Sequence, residues 1–357
     1  MEARRLTCTG VRQAEWETYE IPETPGPHEL IVEAACSLVS VGTEMAVYGG
    51  THIGYTIPNP PEWLKFPTTL GYALAGTVRA VGSQVEGWAA GDRVLASVPH
   101  GDRAVCDVRR QVLRRLPEGV SMEEGALARM GGISMVSVRQ AGIALGETVV
   151  VLGLGLIGQF AAQLSRVSGA RPVIGADLIA DRVQVAAASG IQAVNPSQVD
   201  LKALVAEATD GRMAEVVIEA TGNPAVVETA LELAAEGGRV VLLGSLRGKI
   251  EIDAYSTVHR LGVSLIGAHD RLSAHAPTLR DPWTRERNLD LVLSLFADGS
   301  LRSEGLIGRR IRPAEVLETY ARIVERPGDV LGVVIEWGGN QQISKSANRQ
   351  ISQSAVG

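Results

Sequence analysis

The chain has 357 residues, of which 45% are hydrophobic and 21% charged, enough for two ordinary domains each with its own core. Its formal net charge of −6 gives no electrostatic reason to expect a nucleic-acid partner. No apolar run approaches the roughly 18–20 residues of a membrane span, "MEARRLTCTG" lacks the apolar core of a signal peptide, and Cys8, Cys36 and Cys106 form no C-x-x-C pair. These features argue against a membrane protein, a disulfide scaffold and a cysteine-rich zinc lobe. The expectation is a cytoplasmic protein.

The first 120 residues read as β-rich, with "ELIVEAACSLVSV" as a strand and "LAGTVRAVG" alternating ahead of the "GWAAGDRVLA" turn-and-strand unit. From Met122 the texture changes, and "EEGALARMGGISMVSVRQAGI" carries helical spacing. Strands then follow at 148–153, 172–177, 215–221, 238–244 and 263–268, separated by helical stretches such as "GQFAAQLSRVSG" and "DRVQVAAASG". Continuous apolar strands alternating with helices predict a parallel sheet buried on both faces. After residue 268 come two more helices, "RNLDLVLSLFADG" and "AEVLETYARIVE", and a last strand, "LGVVIEW". The tail "GGNQQISKSANRQISQSAVG" repeats itself and lacks core-forming residues, so it is expected to be disordered and without a functional role.

Gly153, Gly155 and Gly158 have G-x-G-x-x-G spacing. The spacing alone is a weak signal, but here it follows a strand, opens a helix and meets an acid, Asp177, 19 residues after Gly158 at the end of the next strand. The first glycine permits a tight turn, the second lets a pyrophosphate approach the backbone, and the third allows close helix–strand packing. The phosphates would lie at the helix N-terminus, where free N–H groups favour anions. Asp177 would accept from the adenosine ribose and repel a 2′-phosphate, and Leu178 offers no basic group. NAD(H) is therefore favoured over NADP(H), with Arg182 expected on the helix surface more than on a phosphate.

This arrangement resembles the medium-chain dehydrogenase/reductase superfamily over residues 5 to 338. "LGYALAGTVRAVGSQVEGWAAGDRV" is similar to its glycine-rich strand pair, and "GALARMGGISMVSVRQAGIALGETVVVLGLGLIG" to its domain junction. The resemblance implies an α/β fold, a Rossmann doubly wound parallel sheet plus a β-rich GroES-like catalytic domain. The expected division is 1–128 for the first part of the catalytic domain, 129–268 for the NAD-binding domain, 269–338 for the return to the catalytic domain, and 339–357 for the tail. Leu156, Ile157, Thr221, Gly244, Ser245, Gly267 and Ala268 join the three glycines, Asp177 and Arg182 as expected cofactor contacts. By analogy the chain is expected to form a homodimer or homotetramer.

Many members of that superfamily hold a catalytic zinc through a Cys, a Gly-His-Glu segment and a later acid or Cys. Here the Cys position is Val41, the segment is Gly71-Tyr72-Ala73, and the late ligand is Arg129. That set cannot hold Zn²⁺, so no metal is expected. The retained piece is Thr43, which in the zinc-bearing relatives joins the proton relay. Tyr72 could donate to a substrate oxygen, and Arg129 could stabilise an alkoxide, bind an anionic arm or pair with Glu44. His269 is a candidate general acid/base, with Asp270, Glu44, His52 and Tyr55 as substrate contacts. His100, His259 and His275 are read as structural or surface residues. The function expected is a zinc-independent, NAD(H)-dependent interconversion of a secondary alcohol and a ketone on a sugar, cyclitol or polyol. Three readings stay open beside it: a dehydrogenase of a hydroxyethyl-bearing tetrapyrrole, an enoyl or quinone reductase, and an NAD(H)-binding protein without turnover.

Overall fold

The computed structural model describes residues 1–338 apart from 275 and 280, so His275 and the tail lie outside the described residues. Six parallel strands form one sheet in the spatial order Gln192–Val194, Val173–Ala176, Val149–Leu152, Ala214–Glu219, Ala234–Leu242, Ser264–Gly267. In chain order that is 3-2-1-4-5-6, the doubly wound Rossmann arrangement, whose ligand crevice lies at the carboxyl ends of the strands where the order reverses. Val149–Leu152 and Val173–Ala176 are apolar and buried throughout, as are Val216, Val217 and Ile218 and then Val240 and Val241 in the two central strands beside them. The strand Gln192–Val194 escapes the sequence reading because three residues at a sheet edge carry too short a pattern.

A second, seven-stranded sheet is organised around Glu29–Val39, which pairs with Leu74–Val81, Arg103–Asp107 and, antiparallel, the late strand Val333–Glu336. The C-terminal segment thus returns to the first sheet and completes it. The two halves share the helix Met122–Ala141. It begins at a capping box in which Ser121 Oγ accepts from the Glu124 amide (3.1 Å) and Glu124 Oε2 accepts from the Ser121 amide (2.7 Å). It ends at left-handed Gly142. One core cluster contains residues of both halves, from Leu38 and Ala75 to Phe160 and Leu293. Among the described residues no helix is long and apolar enough to cross a membrane.

Candidate active site

The stretch "SVGTEMAVYGG" leaves the central strand at Val39 and forms a short helix, Thr43–Tyr48, led in by Gly42. Glu44 turns its carboxylate inward and is 3% exposed. Its Oε1 accepts from the Ser40 amide at 2.8 Å, and its Oε2 meets His100 Nε2 and the Tyr320 hydroxyl, each at 2.8 Å. On the far side His100 Nδ1 lies 2.8 Å from Ser37 Oγ, which also accepts from Trp337 Nε1 at 2.9 Å. A neutral imidazole with its proton on Nε2 satisfies every member of this chain. Burial, with the nearby Glu44 charge, pushes the Tyr320 phenol well above its ordinary range. Gly71 makes room for the buried ring: it has φ of +98°, and a Cβ there would lie 2.5 Å from the His100 amide nitrogen. Glu44 therefore does not pair with Arg129: three donors engage its carboxylate, which holds the turn, and the residue also borders the neighbouring cavity.

Beside this network lies a cavity of about 300 Å³ whose lining includes Thr43, Tyr72, Trp63, Ser97 and Pro99. The half-buried Tyr72 donates to Ser40 Oγ at 2.6 Å, and the Thr43 amide donates to the same oxygen at 3.4 Å. Burial raises the Tyr72 phenol, and Glu44 adds to this, while Ser40, Arg129 and Thr43 pull it back. Ser97 Oγ is buried at the cavity without a partner among the described residues. Ser40, Ser97 and Trp63 had no signal in the sequence, because serines in apolar strands and an exposed loop tryptophan are common. His100 is structural, as read, yet its connection to Glu44 spans 56 residues and is invisible locally.

Arg129 is 8% exposed and lies with its Cζ 5.4 Å over the Tyr72 ring. Its partner is Asp270, at 2.8 Å from NH2 to Oδ2, and Arg285 approaches the same oxygen at 3.4 Å. Asp270 is thus held by arginines. His269 is exposed, with Nδ1 accepting from the Arg271 amide at the start of a short 3₁₀ turn. His52 caps its own loop through Nδ1 and packs edge-on against Trp63, and burial, aided by Arg247 and His269, lowers its pKa. Tyr55 packs near Phe66 with its hydroxyl buried and without a partner among the described residues. His259 is exposed and stacks on Tyr255.

Across the cleft, Gly153 takes φ of +90°, and a Cβ on Gly158 would fall 1.8 Å from the Gly153 carbonyl oxygen, so no other residue fits that close approach. Gly155 starts the helix Leu156–Val167 with no side-chain cap, leaving first-turn N–H groups for an anion. A dinucleotide pyrophosphate fits this cradle. The Leu156 side chain packs into the core, so its place in the cradle is through the backbone, while Ile157 is half-buried behind it. Thr221, Gly244, Ser245 and Ala268 follow the ends of Ala214–Glu219, Ala234–Leu242 and Ser264–Gly267, and Gly267 closes the last of these, so all five extend the same edge. Asp177 accepts from the Leu154 amide (2.7 Å) and the Ile179 amide (2.9 Å). Arg182 is not a surface residue: it is half-buried, with NH1 3.4 Å from Asp177 and NH2 donating to the Pro327 carbonyl. Arg247, just past this edge, donates to the Gly42 carbonyl at 3.3 Å, which joins the cradle to the Thr43 turn.

Comparison with known proteins agrees with this geometry. Residues 26–136 match the alcohol dehydrogenase GroES-like domain family, and residues 157–276 match the zinc-binding dehydrogenase family. The chain belongs to the medium-chain dehydrogenase/reductase superfamily. It is 29% identical over 273 residues to D-guloside 3-dehydrogenase of Escherichia coli K12, covering 75% of this chain and 77% of that one. It is 25% identical over 358 residues to L-galactonate-5-dehydrogenase of the same organism, covering 92% and 98%. Among solved structures, a Sinorhizobium meliloti 1021 protein described as a zinc-binding dehydrogenase, bound to NADP, superposes with a TM-score of 0.76 at 24% identity, covering 94% and 99%. An E. coli CFT073 alcohol dehydrogenase complexed with NADH superposes at 0.77 with 20% identity and the same coverage. The zinc that gives one of these families its name does not fit the residues found here. Where the ligands would stand are an aliphatic side chain, a phenol engaged with Ser40, and a guanidinium.

Proposed function

We propose that the protein is a zinc-independent, NAD(H)-dependent oxidoreductase that interconverts a secondary alcohol and a ketone on a sugar, cyclitol or polyol. The observation that carries this reading is the Tyr72–Ser40–Thr43 group, set at a cavity that the Arg247–Gly42 contact joins to a dinucleotide cradle. The nicotinamide would supply or accept the hydride at the substrate carbon. In the reducing direction Tyr72, whose phenol carries its proton at neutral pH and is raised further by burial, donates that proton to the carbonyl oxygen. In the resting site that proton is donated to Ser40 Oγ at 2.6 Å; once it has gone to the substrate oxygen, the phenolate takes a proton from Ser40 as Ser40 takes one from solvent, and the Thr43 amide holds that serine in line. Ser97 and Thr43 offer hydroxyls to a polyhydroxylated substrate in the same cavity. The names of the sugar-acid and guloside relatives support such a substrate class.

NAD(H) is favoured because Asp177 keeps a carboxylate at the ribose end of the cradle and Arg182 is turned onto it. Zinc independence is supported by the donor set, and among the described residues no three His, Cys, Asp or Glu side chains converge on a point. The test is a panel of alditols, cyclitols and sugars with NAD and NADP, followed at the NADH absorbance with metal content measured on the same preparation. NAD-linked turnover with substoichiometric zinc is expected. Near-stoichiometric zinc whose removal abolishes turnover overturns the zinc-free mechanism, and tight NADH binding with no turnover overturns the enzyme.

A further inference from the structure

The strand Ala214–Glu219 lies beside the point where the strand order reverses, and it ends on a fully buried carboxylate: Glu219 is 0% exposed. Its Oε1 accepts from the Thr221 amide at 2.7 Å, the Gly222 amide at 3.1 Å and the Thr221 hydroxyl, and its Oε2 from the Gly222 amide at 3.3 Å. None of these donors is a cation. Burial raises the carboxyl, and the same donors pull it back. A buried carboxylate without a cation is costly, and a strand end can turn without one. The Glu219 backbone carbonyl meanwhile accepts from the Leu243 and Gly244 amides at 2.9 and 2.8 Å. One residue therefore ties together the loops that follow two neighbouring strands, 220–223 and 243–247. The fit is close. A Cβ on Gly244 would lie 2.3 Å from the Gly222 nitrogen and 2.8 Å from Glu219 Oε2, and one on Gly153 of the cradle would lie 2.7 Å from Thr221 Cγ2. The Gly222 carbonyl in turn accepts from the Arg247 amide at 3.0 Å, and Arg247 reaches Gly42 across the cleft.

We infer that Glu219 is a positioning residue for the cofactor, acting through Thr221 and Gly244 to shape the nicotinamide half of the crevice. A doubly wound sheet is built from two mononucleotide-binding halves. The strands Val149–Leu152, Val173–Ala176 and Gln192–Val194, with Asp177, make the half for the adenosine, so the half begun by Ala214–Glu219 is left for the nicotinamide. Glu219 works by reach. Its side chain is long enough to bring one oxygen to the amides two and three residues ahead, which closes the loop onto the cradle. The inference rests on the NAD(H) reading above and adds to it a residue that no glycine spacing marks.

The test uses the full chain and two probes, NADH and 5′-AMP, each followed by isothermal titration. AMP reports the adenosine half and the folding of each variant. Glu219→Ala should weaken NADH by about tenfold or more and leave AMP within about twofold of wild type. Glu219→Asp keeps the charge on a side chain one carbon shorter and should weaken NADH as well, with AMP again retained. Glu219→Gln keeps an oxygen for the Thr221 and Gly222 donors and should hold NADH within about threefold. If Glu219→Ala does not fold, the contrast between Asp and Gln decides. Unchanged NADH affinity in Glu219→Ala and Glu219→Asp overturns the inference, and NAD-linked turnover in the same preparations leaves the dehydrogenase reading standing. Equal loss on NADH and AMP, or a loss in Glu219→Gln as large as in Glu219→Asp, overturns it too. The expected split with no turnover on any substrate supports the positioning role and refutes the dehydrogenase. A wild-type chain that does not bind NADH overturns both, whether or not it binds AMP.

Discussion

Replacing Glu44 with alanine removes the acceptor shared by three buried donors. The Ser40 amide, His100 Nε2 and the Tyr320 hydroxyl all meet that carboxylate at 2.8 Å. His100 and Tyr320 are 0% exposed, so their donors lose their partner except where water enters from the adjoining cavity. Each stranded donor costs about 1–3 kcal/mol, and with partial relaxation the three together cost about 3–6 kcal/mol. That is a large share of the roughly 5–15 kcal/mol that holds a typical domain folded. Glu44→Gln, which keeps one acceptor oxygen but turns an amide N–H toward a donor, should fall between wild type and alanine. Urea unfolding followed by tryptophan fluorescence is a suitable assay, because Trp337 is bonded to Ser37 in the same network and stacks edge-on with Trp16 at 5.2 Å. Affinity for NADH at zero denaturant should be retained, since the cradle is built by another sheet. A loss of less than about 1 kcal/mol in Glu44→Ala would refute the account of Glu44 as the anchor of the turn.

Tyr72→Phe keeps the ring under Arg129 and removes the proton donor, so kcat should fall about 10²- to 10⁴-fold with little change in NADH affinity. A kcat within threefold of wild type would remove Tyr72 from the chemistry. For ketone reduction the acid form of Tyr72 is required, and its phenol is raised, so the rate should hold through neutral pH and decline only as pH rises through that raised value. A decline already complete below pH 9 would contradict it. Gly158→Ala drives a methyl group into the Gly153 carbonyl and should weaken NADH binding by about tenfold or more, measured by fluorescence titration. Asp177→Ala should narrow the discrimination between NAD and NADP, and because Asp177 also accepts from the Leu154 amide, NADH affinity should fall as well. All three cysteines are buried, and burial pushes the Cys8 thiol up and that of Cys106 up to about 12, so a thiol reagent at neutral pH should label none before unfolding.

What the sequence determined by itself is the part governed by short-range pattern. Strand and helix periods, the Ser121-x-x-Glu124 cap and the glycine spacing between Gly153 and Gly158 each act within a few residues, so the Rossmann sheet and its phosphate cradle were legible from the text of the chain. The expectation that Val41, Tyr72 and Arg129 stand where a zinc ligand set would be came through resemblance to the superfamily. Tertiary structure alone decided who pairs with whom. Glu44 and Arg129 are complementary in charge, yet Glu44 goes to His100 and to Tyr320, 276 residues away, and Arg129 to Asp270, 141 residues away. Arg182 turned inward for the same reason, drawn onto Asp177 and the Pro327 carbonyl. Hydrogen bonds and ion pairs act over a few ångströms, and only the folding of two sheets against a shared helix brings such distant residues to that range.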